Sequence, residues 1–352
     1  MNLSEIASRI ANPITDLLFS PGSVMSVYSL AFGLTLGFAF LAFRQKRRRG
    51  RVRLQAVGHA MLARHIIFHR STLADFCYLV FGLLTLGVLL GWAVLSASTI
   101  SDFVEAFLQK HVGVHAPLEA PDFVLGAVMT VVLFLAYELG FFIDHSLKHR
   151  IPALWELHKT HHSAEVLTPL TNFRVHPIDS LILANNLALV IGLVGGLAKY
   201  GIGKHVEVIA LDGKNILMIL YIYLTAQLQH SQFWIPMTGV LGRLFMSPAH
   251  HQIHHSNNPV HFNRNMGASL AIWDWLFGTL AIPEKEPPQL TFGVADTGRD
   301  PHGITSLVLD PVINAISALL GVKLPLPQAS DERGKQQATP GLKGPTSSAS
   351  AN

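Results

Sequence analysis

The chain has 352 residues, half of them hydrophobic and only 14% charged, with a formal net charge of +4. Soluble domains carry about 25% charged residues, so this composition indicates an integral membrane protein. The main basic run abuts an apolar segment instead of alternating with aromatic residues, which argues against nucleic acid as a partner. The single Cys77 excludes an intrachain disulfide and a cysteine-rich metal site.

The N-terminal region, residues 1–70, is predicted to contain one transmembrane span and a basic loop. Residues 3–19 are mildly amphipathic and are expected to lie at the membrane interface. Residues 24–43 form an apolar run long enough to cross the hydrocarbon core as a helix. Lysines and arginines are concentrated directly after it, between residues 44 and 53. The positive-inside rule therefore places residues 44–70 in the cytoplasm.

Four further apolar segments indicate that the chain crosses the membrane repeatedly. Residues 76–96 and 123–143 are predicted spans, and residues 97–121, with more acidic than basic residues, are expected to form a loop on the outer side. The last two segments are predicted to form a hairpin that goes out and returns; they are residues 178–198 and 206–226.

The final segment contains Asp212 and Lys214, so it is either tilted, partly buried, or begins nearer Asn215. The fold prediction is an all-α, multi-pass bundle of about four or five spans, with a helical cap on the cytoplasmic face. Residues 71–300 are expected to form the catalytic domain. Residues 301–352 form a C-terminal segment, which is expected to be disordered from about residue 327.

Three short clusters contain eight histidines, and all of them fall on the predicted cytoplasmic side. Their sequences are His145-Ser-Leu-Lys-His149, His158-Lys-Thr-His161-His162 and His251-Gln-Ile-His254-His255. Residues three or four apart share one face of a helix, so each cluster can direct two imidazoles to one site. The adjacent histidines diverge by about 100° and can therefore serve two ions. Because one ion needs three or four ligands, eight histidines indicate a two-metal centre; the structural alternative is interfacial histidines that bond to backbone and water.

Other polar residues near the clusters are candidates for the same site. His230 ends the predicted return helix and is a candidate ninth ligand, whereas His176 and His250 are expected to support the ligands or to be structural. Three acidic residues are candidates for orienting a ligating imidazole; they are Glu138, Asp144 and Asp274. The alternative for Glu138 is an ion pair with Lys148 or Arg150.

The order and the flanks of the clusters resemble the three histidine boxes of the fatty acid hydroxylase/sterol desaturase superfamily, over residues 75–282. Asn172-Phe-Arg-Val-His176-Pro177 follows the second cluster, and His230-Ser-Gln precedes the third. After the third come Asn263-Arg-Asn-Met-Gly267 and Trp273-Asp274-Trp-Leu-Phe277-Gly278-Thr279. The chain departs from the usual pattern at Ser146, Glu138 and Gln232, none of which is a cluster histidine.

This resemblance implies a membrane oxygenase with two iron ions, although zinc can occupy such sites in a purified sample. It would hydroxylate a lipid with O2 and with electrons from a separate donor, either a cytochrome b5-like protein or a ferredoxin with its reductase. The same ligands would also serve a lipid or sterol desaturase. Two alternatives from other classes are a non-catalytic metal-binding or transport protein and a b-type cytochrome. A bacterial inner membrane is favoured over the endoplasmic reticulum, because no lysine-rich retrieval tail is present.

Overall fold

The computed structural model describes residues 14–85, 91–294 and 299–322. Most of the predicted interfacial segment 3–19 and the tail expected to be disordered from residue 327 lie outside these residues. The described helices are α1 (Val27–Arg49), α2 (Leu54–Met61), α3 (Arg64–Ile67), α4 (Arg70–Leu84), α5 (Ala97–His111), α6 (Asp122–Arg150), α7 (Pro152–His162), α8 (Pro177–Ile202), α9 (Ile216–Tyr221), α10 (Gln227–Gln229), α11 (Gly239–Leu244), α12 (Pro248–His254), α13 (Ile272–Phe277) and α14 (Asp310–Leu320).

Three of these helices are long and apolar enough to cross a membrane, and they are α1, α6 and α8. A fourth span is possible if Leu54–Ile67 and Arg70–Leu83, which meet at a 77° bend, are counted together. The helix α1 ends where Gly50 adopts a positive φ of 70° and donates its N–H to Lys46 O. The prediction of an all-α, multi-pass membrane protein is confirmed.

Two predicted segments differ from the structure. In the described part of the predicted span 76–96, α4 begins earlier, at Arg70, and ends at Leu84, and a 3-10 turn lies at Gly91–Ala93. Residues 86–90 of that span lie outside the described residues. The segment 97–121 contains the helix α5, not only a loop, and α5 lies along α8. A Cβ atom added to Gly196 of α8 would lie 2.6 Å from Ser101 O. Because glycine has no side chain, α5 and α8 can pack closely at this position.

The predicted span 206–226 is interrupted by a tight hairpin. Strands β1 (Ala210–Leu211) and β2 (Lys214–Asn215) pair antiparallel, and the turn between them places Asp212 at a φ of 52°. The Asn215 side chain then caps the helical run Ile216–Gln229 by accepting from Leu217 N at 2.9 Å. This run is shorter than the ~20 residues that a spanning helix needs, and it agrees with the alternative that the helix begins nearer Asn215.

The histidine clusters meet at one end of the long helices. The helix α6 ends there and α8 begins there, and α7 turns back from α6 through the extended residue Ile151, with Pro152 at its first position. The C-terminal helix α14 packs against α7, and Asn314 Nδ2 donates to Glu156 Oε2 at 3.1 Å. All three clusters therefore lie at the same end of the bundle.

Candidate metal centre

Nine histidines converge in two groups, and within each group one ring nitrogen per residue lies within 4.8 Å of the others. The five-histidine group consists of His145, His149, His158, His162 and His254. The four-histidine group consists of His161, His230, His251 and His255. These are the nine candidate ligands from the sequence, and the structure brings all of them together. The adjacent pairs are divided between the groups, in line with the divergence expected on a helix.

Local structure directs these side chains inward from four short stretches of chain. His145 and His149 lie one turn apart near the end of α6, and the second cluster occupies the last turns of α7. The helix α12 begins with a capping box between Ser247 and His250, which aims the third cluster at the site. His230 ends α10, where the backbone leaves the helical conformation.

In the four-histidine group, the Nε2 atoms face one another at close range. His230 Nε2 lies 2.9 Å from His251 Nε2, 3.0 Å from His255 Nε2 and 3.2 Å from His161 Nε2. Nitrogen ligands at the usual distance from a tetrahedral ion are separated by about 3.3 Å. A neutral imidazole has one N–H donor and one lone-pair acceptor. Four ring nitrogens that face one another therefore cannot all find a hydrogen-bond partner within the group. One cation would accept the lone pairs of all four.

In the five-histidine group, the Nε2 atoms of all five rings are buried without a hydrogen-bond partner among the described residues. On the outer side, His145 Nδ1 lies 2.8 Å from Met266 O and His254 Nδ1 lies 2.9 Å from Arg264 O. Because a carbonyl only accepts, these Nδ1 atoms carry the proton and each Nε2 presents its lone pair to the group. The residues present therefore fit a transition-metal ion in each group.

Burial keeps the histidines neutral, which is the form that binds a metal. Desolvation, with a smaller contribution from neighbouring histidines, lowers the pKa of His230 and of His254 to about 3. The pKa values of His161 and His251 are also held well below 6.5 by burial first and by nearby imidazoles second. At neutral pH these four histidines are therefore uncharged nitrogen donors.

Of the two roles expected for His176 and His250, support of the ligands or a structural role, the contacts of both are structural. His250 contacts Ser247 Oγ through Nδ1 at 2.7 Å and Gly242 O through Nε2 at 3.0 Å, so both of its nitrogens point away from the two groups. His176 caps α8 by accepting from Ile178 N at 3.2 Å, and its Nε2 contacts Val308 O. Neither imidazole is directed at a ligand.

The acidic candidates act on the backbone or on a lysine. Glu138 accepts from Ser269 N at 3.1 Å and Leu270 N at 2.9 Å, so it bonds neither an imidazole nor Lys148 or Arg150. Both expectations for Glu138 were wrong, because backbone donors of a neighbouring loop reach its carboxylate.

Asp274 accepts from Met266 N and Gly267 N, each at 2.7 Å. It thereby orients the peptide whose carbonyl accepts from His145, one step further from the metal groups than expected. Asp144 pairs with Lys148 at 2.6 Å and does not contact a ligand.

Sequence reasoning missed Asp179, whose Oδ2 lies 3.0 Å from His158 Nδ1. The signal was present, since an acidic residue in the first turn of a predicted span is expensive unless it has a partner. It also missed the fully buried pair of Arg174 and Asp75, joined at 3.0 Å. Arg174 Nε donates to Thr160 O at 3.1 Å and so braces the end of α7.

Comparisons with known proteins are consistent with this site. The sequence model described as "Fatty acid hydroxylase" matches residues 130–279, which include all nine histidines. "Ornithine lipid hydroxylase OlsE" of Rhizobium tropici is 30% identical over 185 residues, which is 53% of this chain and 50% of that protein. "Alkylglycerol monooxygenase" of Danio rerio is 29% identical over 161 residues, 44% of this chain and 30% of that protein.

The human "Alkylglycerol monooxygenase" is 28% identical over 169 residues, 46% of this chain and 32% of that protein. The chain thus matches half of the first relative and about a third of the other two. No solved structure gives a significant match. The match to the fatty acid hydroxylase model over residues 130–279 covers the segment that carries both histidine groups.

Proposed function

We propose that this protein is a membrane-bound di-iron oxygenase that hydroxylates a C–H bond of a lipid. The observation that carries the proposal is the pair of buried histidine groups, in which unpartnered ring nitrogens converge on two centres. The names of the relatives favour hydroxylation over desaturation, since they are a lipid hydroxylase and monooxygenases. In the overall reaction, O2, two electrons and two protons convert R–H to R–OH and water.

The metal proposed for both groups is iron. Imidazole also suits zinc and copper, but zinc has no redox chemistry, and an oxygenase needs a metal that changes its oxidation state. Two bound iron ions would supply the reduction of O2 and the oxidation of the C–H bond. Because the reaction consumes two electrons per turnover, we propose a separate donor, either a cytochrome b5-like protein or a ferredoxin with its reductase.

The protein's own share of the reaction is to orient the ligands, exclude water and hold the lipid. Eight of the nine histidines are buried and His149 is half-buried, so the centre lies in a dry environment. A cavity of about 470 Å³ is bounded by Ser231 and Gln252, the sequence neighbours of His230 and His251. Apolar side chains dominate the rest of its wall and suit a lipid chain; they include Phe40, Leu41, Phe233, Leu290 and Phe292.

We propose that the centre lies on the cytoplasmic face of a bacterial inner membrane. The support for this orientation is the basic run that closes α1, with four basic residues in the last turn of the helix. Labelling of single cysteines introduced at residues 48 and 113 of a Cys77→Ser variant, in intact and in opened cells, tests the orientation. Labelling of residue 48 from the outside of intact cells would contradict it.

The function is tested by lipid mass spectrometry of cells that express the protein, combined with metal analysis of the purified protein. We expect a lipid that gains 16 mass units and about two irons per chain. His145→Ala and His161→Ala each remove a ligand from a different group and are expected to abolish the product. His111→Ala changes an exposed histidine and serves as the control.

Three results would contradict the proposal. Normal product from His161→Ala, or a wild-type protein that binds no transition metal, would exclude the centre as proposed. A product lighter by 2 mass units would identify a desaturase instead. A Soret band in the purified protein would favour the cytochrome alternative.

A further inference from the structure

Three buried charged residues are linked by ion pairs, and one of them contacts a histidine of the metal centre. Lys148 Nζ on α6 lies 2.6 Å from Asp144 Oδ2 and contacts the carboxylate of Asp179 on α8. It also donates to the Asp179 carbonyl at 3.2 Å. The other carboxylate oxygen of Asp179 lies 3.0 Å from Nδ1 of His158 on α7. These three charged residues therefore connect α6 and α8 to one imidazole of the five-histidine group, which lies on α7.

The charges of Asp144, Lys148 and Asp179 do not balance. Two carboxylates and one ammonium leave a net charge of −1, and the side chains of Asp144, Lys148 and Asp179 are 4%, 3% and 1% exposed. A buried uncompensated charge is costly unless an opposite charge lies nearby. The Nε2 atom of His158 is buried, unpartnered among the described residues, and directed into the five-histidine group. A metal cation on this nitrogen would provide the missing positive charge.

The same contact changes the donor strength of His158. A carboxylate that accepts from the outer nitrogen of an imidazole raises the basicity of the ligating nitrogen and fixes the ring orientation. His145 and His254 have carbonyl acceptors, so the five-histidine group has three outer anchors, one of them anionic.

The four-histidine group lacks comparable anchors. The Nδ1 atoms of His161, His230 and His255 are buried and make no well-formed hydrogen bond among the described residues; only His161 has a weaker contact, with the backbone of Arg174. The two groups thus differ in ligand number, in outer hydrogen bonds and in nearby charge.

We infer that Asp179, held in place by Lys148 and Asp144, makes the five-histidine group the tighter of two metal sites. Metal fills this group first, and the four-histidine group binds metal more weakly and exchanges it. Asp179 is a positioning residue that acts through His158. The inference rests on the proposed function in that the nine histidines are metal ligands.

The test is a Co²⁺ titration of the metal-stripped, full-length protein in detergent. Four-coordinate Co²⁺ absorbs visible light more strongly than five-coordinate Co²⁺, so the spectrum reports which group fills. We expect two equivalents in two steps, with the weaker absorption first. Asp179→Asn should weaken the first step about 10–100-fold. Asp144→Asn, which leaves the contact between Asp179 and His158 intact, should weaken it less.

Asp102→Asn is the matched control, because Asp102 also pairs with a lysine, Lys199, at 2.6 Å, but near the opposite end of α8. It should keep both steps. Circular dichroism and gel filtration establish that each variant is folded, and Asp144→Asn decides the question if Asp179→Asn does not fold.

Each outcome has a distinct meaning. Two unchanged steps in a folded Asp179→Asn variant, or in Asp144→Asn if only that variant folds, would overturn the inference. Strong absorption in the first step of the wild type would also overturn it. A wild-type protein that binds no Co²⁺ at either group would instead overturn the proposed function.

Discussion

Replacement of Asp75 by asparagine is expected to destabilise this protein much more than the loss of an exposed ion pair. Asp75 Oδ1 lies 3.0 Å from Arg174 Nη1, and both side chains are fully buried. Asp75 also accepts from Thr171 Oγ1 at 2.7 Å. The substitution leaves the guanidinium of Arg174 charged and unpaired in the interior.

The magnitude follows from burial. Removing one partner of a buried pair costs about 3–5 kcal/mol, because the other charge stays desolvated. The pair of Arg70 and Asp300 has a shorter distance, 2.6 Å, but its side chains are 74% and 46% exposed. An exposed pair contributes about 0–1 kcal/mol, so Asp300→Asn is the matched control. We expect the two free energies of unfolding to differ by at least about 2 kcal/mol.

The assay is equilibrium unfolding by SDS in mixed micelles, followed by circular dichroism of the purified variants. Because the charge of Arg174 is already unpaired in Asp75→Asn, adding Arg174→Met should cost less than the same change in the wild type. Equal losses for Asp75→Asn and Asp300→Asn would refute the reasoning. So would strict additivity of the two changes at the buried pair.

Three further outcomes are expected. Gly196→Val should destabilise the fold by about 1–3 kcal/mol in the same assay, since a Cβ at residue 196 would lie 2.6 Å from Val104 Cβ. Gly201→Ala is the control, because a Cβ at residue 201 meets no atom within 4 Å. Equal effects of the two substitutions would contradict the close packing of α5 and α8. The folded-state pKa values of His230 and His254 are about 3, below the ordinary 6.5. Between these two pH values the unfolded chain binds more protons than the folded one, so the metal-free protein should lose stability as pH falls from 6.5 towards 3. A thermal midpoint that does not depend on pH in that range would contradict this prediction. Removal of the metal by a chelator should lower the thermal midpoint, and added Fe²⁺ should restore it; an unchanged midpoint would mean that no metal had been bound.

The long spans were predictable because twenty consecutive apolar residues are a local property of the chain. The helix α5 was not, since its acidic residues suggested an outer loop and its partner is the glycine-rich surface of α8, about 95 residues later in the sequence. The interruption at Asp212 was visible as a charge in an apolar run. Its form, a tight turn with positive φ, became clear only in the structure.

The outer contacts of the site were harder to predict than the candidate ligands. Glu138 and Asp274 attracted attention as buried acids, but their partners are backbone N–H groups of the segment 266–270. Backbone donors leave no trace in residue identity, so a sequence does not reveal which carboxylate they will meet.

The sequence by itself determined which nine histidines come together, because imidazole chemistry and a spacing of three or four residues are local features. Tertiary structure alone decided how they divide into five and four, since that depends on the rotation of α7 and α12 about their axes. It also decided that Asp179, in the first turn of α8, lies with its Oδ2 atom 3.0 Å from His158 Nδ1. Packing of three helices at one end of the bundle makes that contact, and no spacing in the sequence encodes it.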